Sequence, residues 1–149
     1  MIFFVSVYMA KSGPIIVIED DADDISVLEI VFEELKIPNK LIWFNNSKDS
    51  FNYLKTTHEQ PFIIICDINL PTKSGVTFKQ EIDADPQLRK KCIPFIFYST
   101  SIDEKTVNDA YIKLSVQGYF QKNSSFKEIK ETIKVIIDYW KVCTHPNSV

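Results

Sequence analysis

Short apolar runs recur along the chain, and polar residues of particular kinds stand at their ends. Ile15-Ile16-Val17-Ile18 runs into Glu19-Asp20-Asp21, and Phe62-Ile63-Ile64-Ile65-Cys66 runs into Asp67. Phe95-Ile96-Phe97-Tyr98 is followed by Ser99, and Tyr119-Phe120-Gln121 by Lys122. A further run, Leu41-Ile42-Trp43-Phe44, lies between the first two. Unbroken apolar runs of this length suit strands buried on both faces, as in a parallel sheet.

The intervening segments carry helical spacing. Ile25, Leu28, Phe32 and Leu35 form one stripe that starts near Asp23 or Asp24 and is closed by Pro38. Ser47 is expected to cap a short helix carrying Phe51 and Leu54. After Pro61 and the third strand comes the turn Asn69-Leu70-Pro71-Thr72-Lys73-Ser74-Gly75. A helix with Val76 and Ile82 follows, and Asp85-Pro86 breaks it. Ser101 with Glu104 reads as a capping box, with Val107, Ala110, Tyr111 and Leu114 inward. Gly118 precedes the fifth strand. Ser125 with Glu128 opens a long last helix whose stripe is Phe126, Ile129, Ile133, Ile136 and Trp140. Five βα units without a sequence repeat imply parallel strands with right-handed crossovers in one α/β domain.

That architecture gives the strand ends their meaning. In an open parallel sheet, functional groups gather at the carboxyl ends of the strands. Glu19, Asp20, Asp67, Ser99 and Lys122 would therefore meet at one edge. Carboxylates, a hydroxyl and an ammonium together suit a divalent cation and a phosphoryl group. Asp67 is the candidate nucleophile, because a carboxylate oxygen can form an acyl phosphate. Glu19 and Asp20 would hold Mg²⁺ with Asp67, and the backbone carbonyl of Asn69 would complete the set. Asp21, Asp23 and Asp24 are read as favouring the positive end of the first helix. Ser99 offers a hydroxyl to a phosphoryl oxygen, and Lys122 a point charge. Taken singly, an Asp at a strand end, a turn Ser and a surface Lys would each be ordinary loop residues. Their recurrence at one edge gives them weight.

Composition narrows the classes. The chain has 149 residues, 45% apolar and 25% charged, and a net charge of −3, so no basic nucleic-acid footprint is present. The densest basic run, Arg89-Lys90-Lys91, reads as a solvated loop. Three cysteines without C-x-x-C, and only His58 and His145 beside them, speak against zinc. Buried or half-buried reduced thiols in a cytoplasmic protein are expected. Residues 1–8 are mostly apolar and uncharged, too short to cross a membrane and without a basic leader. The expected division is an extension over 1–13 with Met9 as an alternative start, one domain over 14–143, and a frayed tail over 144–149.

Together these motifs resemble the response-regulator receiver domain of two-component signalling. They are Glu19-Asp20-Asp21, Cys66-Asp67-Ile68-Asn69-Leu70-Pro71 with Gly75, Pro94 through Thr100, and Gly118-Tyr119-Phe120-Gln121-Lys122. The resemblance runs from about Pro14 to Val142. It implies a flavodoxin-like, doubly wound (βα)5 sheet of strand order 2-1-3-4-5. It also implies Asp67 as phosphoacceptor, Glu19 and Asp20 as the metal pair, Ser99 as switch hydroxyl, Lys122 as the paired lysine and Tyr119 as switch aromatic. A sensor histidine kinase or histidine phosphotransfer protein would donate the phosphoryl group. Ser99 and Tyr119 would then reshape the face formed by the fourth helix, fifth strand and last helix, where a homodimer is a further expected association. Such a protein assists its own phosphotransfer and dephosphorylation rather than being an enzyme on a separate substrate. The segment from Ser99 to Glu104 and the Tyr139-Trp140 ending are similar to single-domain receivers that partner phytochromes.

One departure stands out. Asn123 follows Lys122 where the family usually has Pro in a cis peptide. A cis bond before a non-proline residue costs about 2.5–4 kcal/mol, so a trans bond is expected. Two other readings are weaker. A haloacid-dehalogenase-like phosphatase needs a second Asp two residues after the first, where this chain has Asn69. A degenerate receiver acting as an unphosphorylated adaptor would not require the whole set of polar strand ends.

Overall fold

In the computed structural model, residues 11–146 are described. Five strands, β1 (Ile15–Ile18), β2 (Leu41–Phe44), β3 (Ile63–Cys66), β4 (Phe95–Ser99) and β5 (Gly118–Gln121), form one sheet of order β2-β1-β3-β4-β5. Every pairing is parallel. The fold is therefore the flavodoxin-like arrangement expected. The helices are α1 (Ala22–Glu34), α2 (Ser47–Thr56), α3 (Gly75–Ala84), α4 (Pro86–Lys91), α5 (Glu104–Lys113) and α6 (Phe126–Val142).

The three central strands are buried along their whole length, as their apolar runs require. Alternate residues face opposite layers. Ile16, Ile18, Ile64, Cys66, Phe95 and Phe97 pack with Leu54, Phe78, Leu88 and Ala110 of α2 to α5. Ile15, Val17, Ile63, Ile65, Ile96 and Tyr98 pack with Ile25, Leu28, Phe32, Ile133 and Ile136 of α1 and α6.

Several local expectations are corrected. Helix α2 is capped by Asn46, whose side chain accepts from the Asp49 N–H, one residue before the expected Ser47. Helix α1 ends before Pro38 is reached: Leu35 is its C-cap, and Lys36 turns the chain at φ 52. The Asp85-Pro86 break starts another helix, because the Asp85 carboxylate accepts from both the Gln87 and Leu88 N–H groups. Arg89-Lys90-Lys91 is thus the last turn of α4 rather than a loop. Lys91 Nζ reaches the Leu54 and Thr57 carbonyls at 2.6 and 3.3 Å. Cys92 is exposed at φ 48, not half-buried.

The described residues nearest each end make tertiary contacts. His145 is fully buried, with Nε2 2.7 Å from the Phe62 carbonyl oxygen and its ring stacked on Phe62. The segment after α6 is therefore tied across the foot of β3 at least to His145. At the other end Asn39 donates to the Lys11 and Gly13 carbonyls, both at 2.8 Å. The expectations for residues 1–10 and 147–149 lie outside the described residues. Among those described, no helix is long and apolar enough to cross a membrane.

Candidate functional site

Glu19, Asp67 and Lys122 each sit just past the carboxyl end of a strand, fixed by a last ladder bond, and Ser99 is the last residue of β4. The Glu19 N–H donates to the Phe44 carbonyl at 3.0 Å and the Asp67 N–H to the Ile18 carbonyl at 3.0 Å. The Lys122 N–H donates to the Ser99 carbonyl at 2.9 Å. Strand pairing alone thus gathers residues from three distant parts of the chain. Glu19, Asp20 and Asp67 can each present a carboxylate oxygen such that all three oxygens lie within 4.8 Å of one another.

Lys122 holds the centre. Its Nζ is 2.8 Å from Asp67 Oδ2 and 2.9 Å from Asp24 Oδ2, and it is also hydrogen-bonded to Glu19 Oε1. Three carboxylates around one ammonium leave excess negative charge in a largely buried site. Glu19 relieves it by keeping its proton: burial, then the neighbouring Asp24 and Asp67, push its pKa up to about 9 despite Lys122. Burial pulls Asp67 in the same direction, but hydrogen bonds from Lys122 and Glu19 outweigh it and hold Asp67 below the ordinary carboxylate range. Asp24 is lowered by its hydrogen bond with Glu19 and by Lys122. Lys122 itself is raised: burial works against its charge, and the three carboxylates overcome that.

Asp24 stands in the first turn of α1, as the sequence reading has it, but it also does something that reading missed: it pairs with Lys122 at the site. Its side chain reaches past the first turn of α1 to the site, while Asp21 caps the helix by accepting the Asp23 N–H at 2.9 Å. Trp43 was also missed. Its indole N–H donates to the Glu19 carbonyl at 2.6 Å.

The hydroxyl side of the site is a connected chain. Ser99 is fully buried, and its Oγ accepts the Ser101 N–H at 3.2 Å. Ser101 Oγ accepts from Asn69 Nδ2 at 2.9 Å, and the Ser101 carbonyl accepts the Tyr119 hydroxyl. The Asn69 N–H in turn donates to Asp67 Oδ1 at 3.2 Å. Ser101 is thus drawn into this network instead of capping α5. Asp103 caps α5, accepting both the N–H and the hydroxyl of Thr106. The Tyr119 ring lies 5.9 Å from that of Phe97, half-buried against the core.

Two backbone features shape the loops. A Cβ on Gly75 would stand 2.3 Å from the Asp67 carbonyl oxygen, so only glycine lets α3 start that close to the strand end. Among the described residues no peptide is cis, so Lys122–Asn123 is trans as expected. Asn123 is held by Thr132, whose hydroxyl donates to Asn123 Oδ1 at 3.0 Å, and it donates to Glu128 Oε2 at 3.2 Å.

A family model for the response regulator receiver domain matches residues 15–134. The chain belongs to that family. It is 28% identical over 131 residues to the response regulator Rcp1 of Synechocystis sp., covering 85% of this chain and 87% of that protein. It is equally 28% identical to a probable methanogenesis regulatory protein, FilR2, of Methanothrix harundinacea, covering 85% of this chain and 82% of FilR2. Among solved structures, the phosphorylated cyanobacterial phytochrome response regulator RcpA superposes with a TM-score of 0.80 at 27% identity, covering 91% of this chain and 98% of RcpA. The Mn²⁺-bound form of Rcp1 superposes at 0.77 with 25% identity, covering 91% and 99%. The chain is thus a receiver domain of two-component signalling, with an acidic cluster where its strand ends converge.

Proposed function

We propose that this receiver accepts a phosphoryl group on Asp67 in the presence of Mg²⁺ and relays it as a signal. The donor would be the phosphohistidine of a sensor histidine kinase or a histidine phosphotransfer protein. An Asp67 oxygen attacks phosphorus as the phosphorus–nitrogen bond of the donor breaks, and that electron pair stays on the imidazole nitrogen, which takes up a proton. The observation that carries this reading is the Asp67 carboxylate, held 2.8 Å from Lys122 within reach of two further acids.

The residues fit the cation. Glu19, Asp20 and Asp67 are hard oxygen donors, and Mg²⁺ takes a few carboxylates and keeps waters. The Asn69 backbone carbonyl, two residues past Asp67, would add a fourth oxygen. When bound, Mg²⁺ would neutralise charge on the phosphoryl oxygens and on the acids. Lys122 would pair with a phosphoryl oxygen once Asp67 is modified, and the Ser99 hydroxyl would donate to another. A turn of Ser99 toward the phosphoryl group would loosen its bond from the Ser101 N–H. Through Ser101 that disturbs Asn69 and Tyr119, and so the face formed by α5, β5 and α6. Apolar side chains stand exposed there, including Tyr111, Ile112, Val135 and Tyr139. That face is the proposed contact for a downstream partner or a second copy of the chain. On this reading the protein is a cytoplasmic signalling receiver rather than an enzyme with a separate substrate. Phosphorylation of RcpA and Mn²⁺ binding by Rcp1 support it by analogy.

Beryllofluoride mimics a phosphoryl group on a carboxylate. Fluorine NMR of the protein with beryllofluoride should show bound resonances that need Mg²⁺ and vanish in Asp67→Asn. Bound resonances that persist in Asp67→Asn would refute the assignment.

A further inference from the structure

Asp20 is the exposed member of the acidic trio, so its side chain depends on its backbone to be held in place. The peptide unit joining Glu19 to Asp20 sets the direction in which the Asp20 carboxylate leaves the chain. That peptide lies just past β1, whose register with β2 ends at the Ile18–Phe44 pair. The Glu19 N–H still finds a ladder partner in the Phe44 carbonyl. Its carbonyl is held by a side chain, the indole N–H of Trp43 at 2.6 Å. At the other end of the same peptide, the Asp20 N–H donates to Glu19 Oε2 at 3.2 Å.

The two restraints differ in kind. Glu19 Oε2 belongs to a carboxylate that a cation would recruit, so that contact competes with metal binding. The indole bond uses no metal-ligating atom and persists whichever way the Glu19 carboxylate turns. Trp43 is also 39% exposed on an edge strand. Its large ring is only partly used for burial, while its single polar atom is fully committed.

We infer that Trp43 is a positioning residue for the metal site: its indole N–H fixes the Glu19–Asp20 peptide and so presets the Asp20 carboxylate for a divalent cation. The inference rests on the metal reading given above. Ligands held before binding lose less conformational freedom when the metal arrives, and groups that orient ligands without touching the metal govern affinity.

The test counts bound Mn²⁺ by electron paramagnetic resonance, which does not rely on tryptophan emission. Four proteins are compared: the native chain, Asp20→Asn, Trp43→Phe, and a chain with Trp43 replaced by its benzothiophene isostere. The isostere keeps the ring shape and lacks the N–H donor. The native chain should bind one Mn²⁺, and Asp20→Asn should lose it. Both Trp43 variants should bind about tenfold more weakly. In a Trp140→Phe background, Mg²⁺ should change Trp43 emission, and Asp20→Asn should abolish that change. If the isostere binds Mn²⁺ as the native chain does, whatever Trp43→Phe does, the hydrogen bond is not at work and the inference fails. If the native chain binds no Mn²⁺, the metal reading itself falls and the inference falls with it.

Discussion

Lys122 is shared between Asp67 at 2.8 Å and Asp24 at 2.9 Å, so the ammonium bridges the end of β3 and the first turn of α1. A lysine on a loop with a trans Lys122–Asn123 peptide is thereby held in place from outside its own loop. The carboxylates around it outnumber it, and the proton on Glu19 makes up part of the deficit.

That proton has to leave when a cation binds, because metal ligands act deprotonated. With Glu19 near 9 in the metal-free fold, Mg²⁺ affinity should climb as pH rises from about 6 to about 9, by up to about tenfold per pH unit. The stability of the metal-free protein should move the other way. An unfolded Glu loses its proton near 4.5, so between 4.5 and about 9 the folded state holds one proton more and stability falls with rising pH. Asp67 and Asp24, lowered in the fold, contribute in a separate window and lose that contribution as pH falls below 3.8. Urea unfolding across this range, with and without Mg²⁺, checks the sign. A metal-free stability that rises from pH 6 to pH 9 would be the wrong result.

Asp24→Asn should change the pH profile more than the fold. Asp24 raises the proton affinity of Glu19, and its side chain is 44% exposed, so its ion pair contributes about 1 kcal/mol or less. Mg²⁺ binding in the variant should depend less steeply on pH near neutrality, as isothermal titration in buffers of different ionisation enthalpy would read. Equal proton release in both proteins would remove Asp24 from this role.

Gly75→Ala should damage both stability and site. The added methyl would lie 2.3 Å from the Asp67 carbonyl oxygen and 3.1 Å from Ile68 Cα, both backbone atoms that cannot swing aside. Overpacking of this kind costs about 1–3 kcal/mol, and the shift would displace Asp67 directly. Chemical denaturation should show the loss, and Mg²⁺ affinity should fall beyond what the unfolded fraction explains.

If the face formed by α5, β5 and α6 joins two copies on phosphorylation, a phosphoryl mimic should raise the mass seen by light scattering. Tyr139→Ala should prevent the rise. Tyr139 is 59% exposed, whereas its neighbour Trp140 packs onto the inner layer, so of this pair Tyr139 is the one presented to a partner.

The strands and the residues at their ends were legible because burial on both faces forces unbroken apolar runs. The polar residue that ends such a run is then the one at the sheet's edge. Glu19, Asp20, Asp67 and Ser99 follow from that rule; Lys122 follows the half-buried edge strand β5, one residue past the polar Gln121. Asp24 and Trp43 do not follow from it. Asp24 lies in a stretch of acids where a helix start accounts for every one, and only the position of Lys122 singles it out. Trp43 reads as one more apolar strand residue, since its function lies in a single N–H. Ser101 and Asp103 compete to cap α5, and the winner depends on Asn69 and Tyr119 drawing Ser101 away. His145 looked like polar tail because its partner, the Phe62 carbonyl, is 83 residues distant.

The central claim is an acyl phosphate on Asp67. Its most direct test is the intact mass of the native chain and of Asp67→Asn after incubation with a small phosphodonor, with and without Mg²⁺. The account predicts one phosphoryl adduct on the native chain that requires Mg²⁺ and is lost in the variant. No adduct on the native chain, or an equal adduct on Asp67→Asn, would contradict it; the former would leave a receiver that works as an unphosphorylated adaptor.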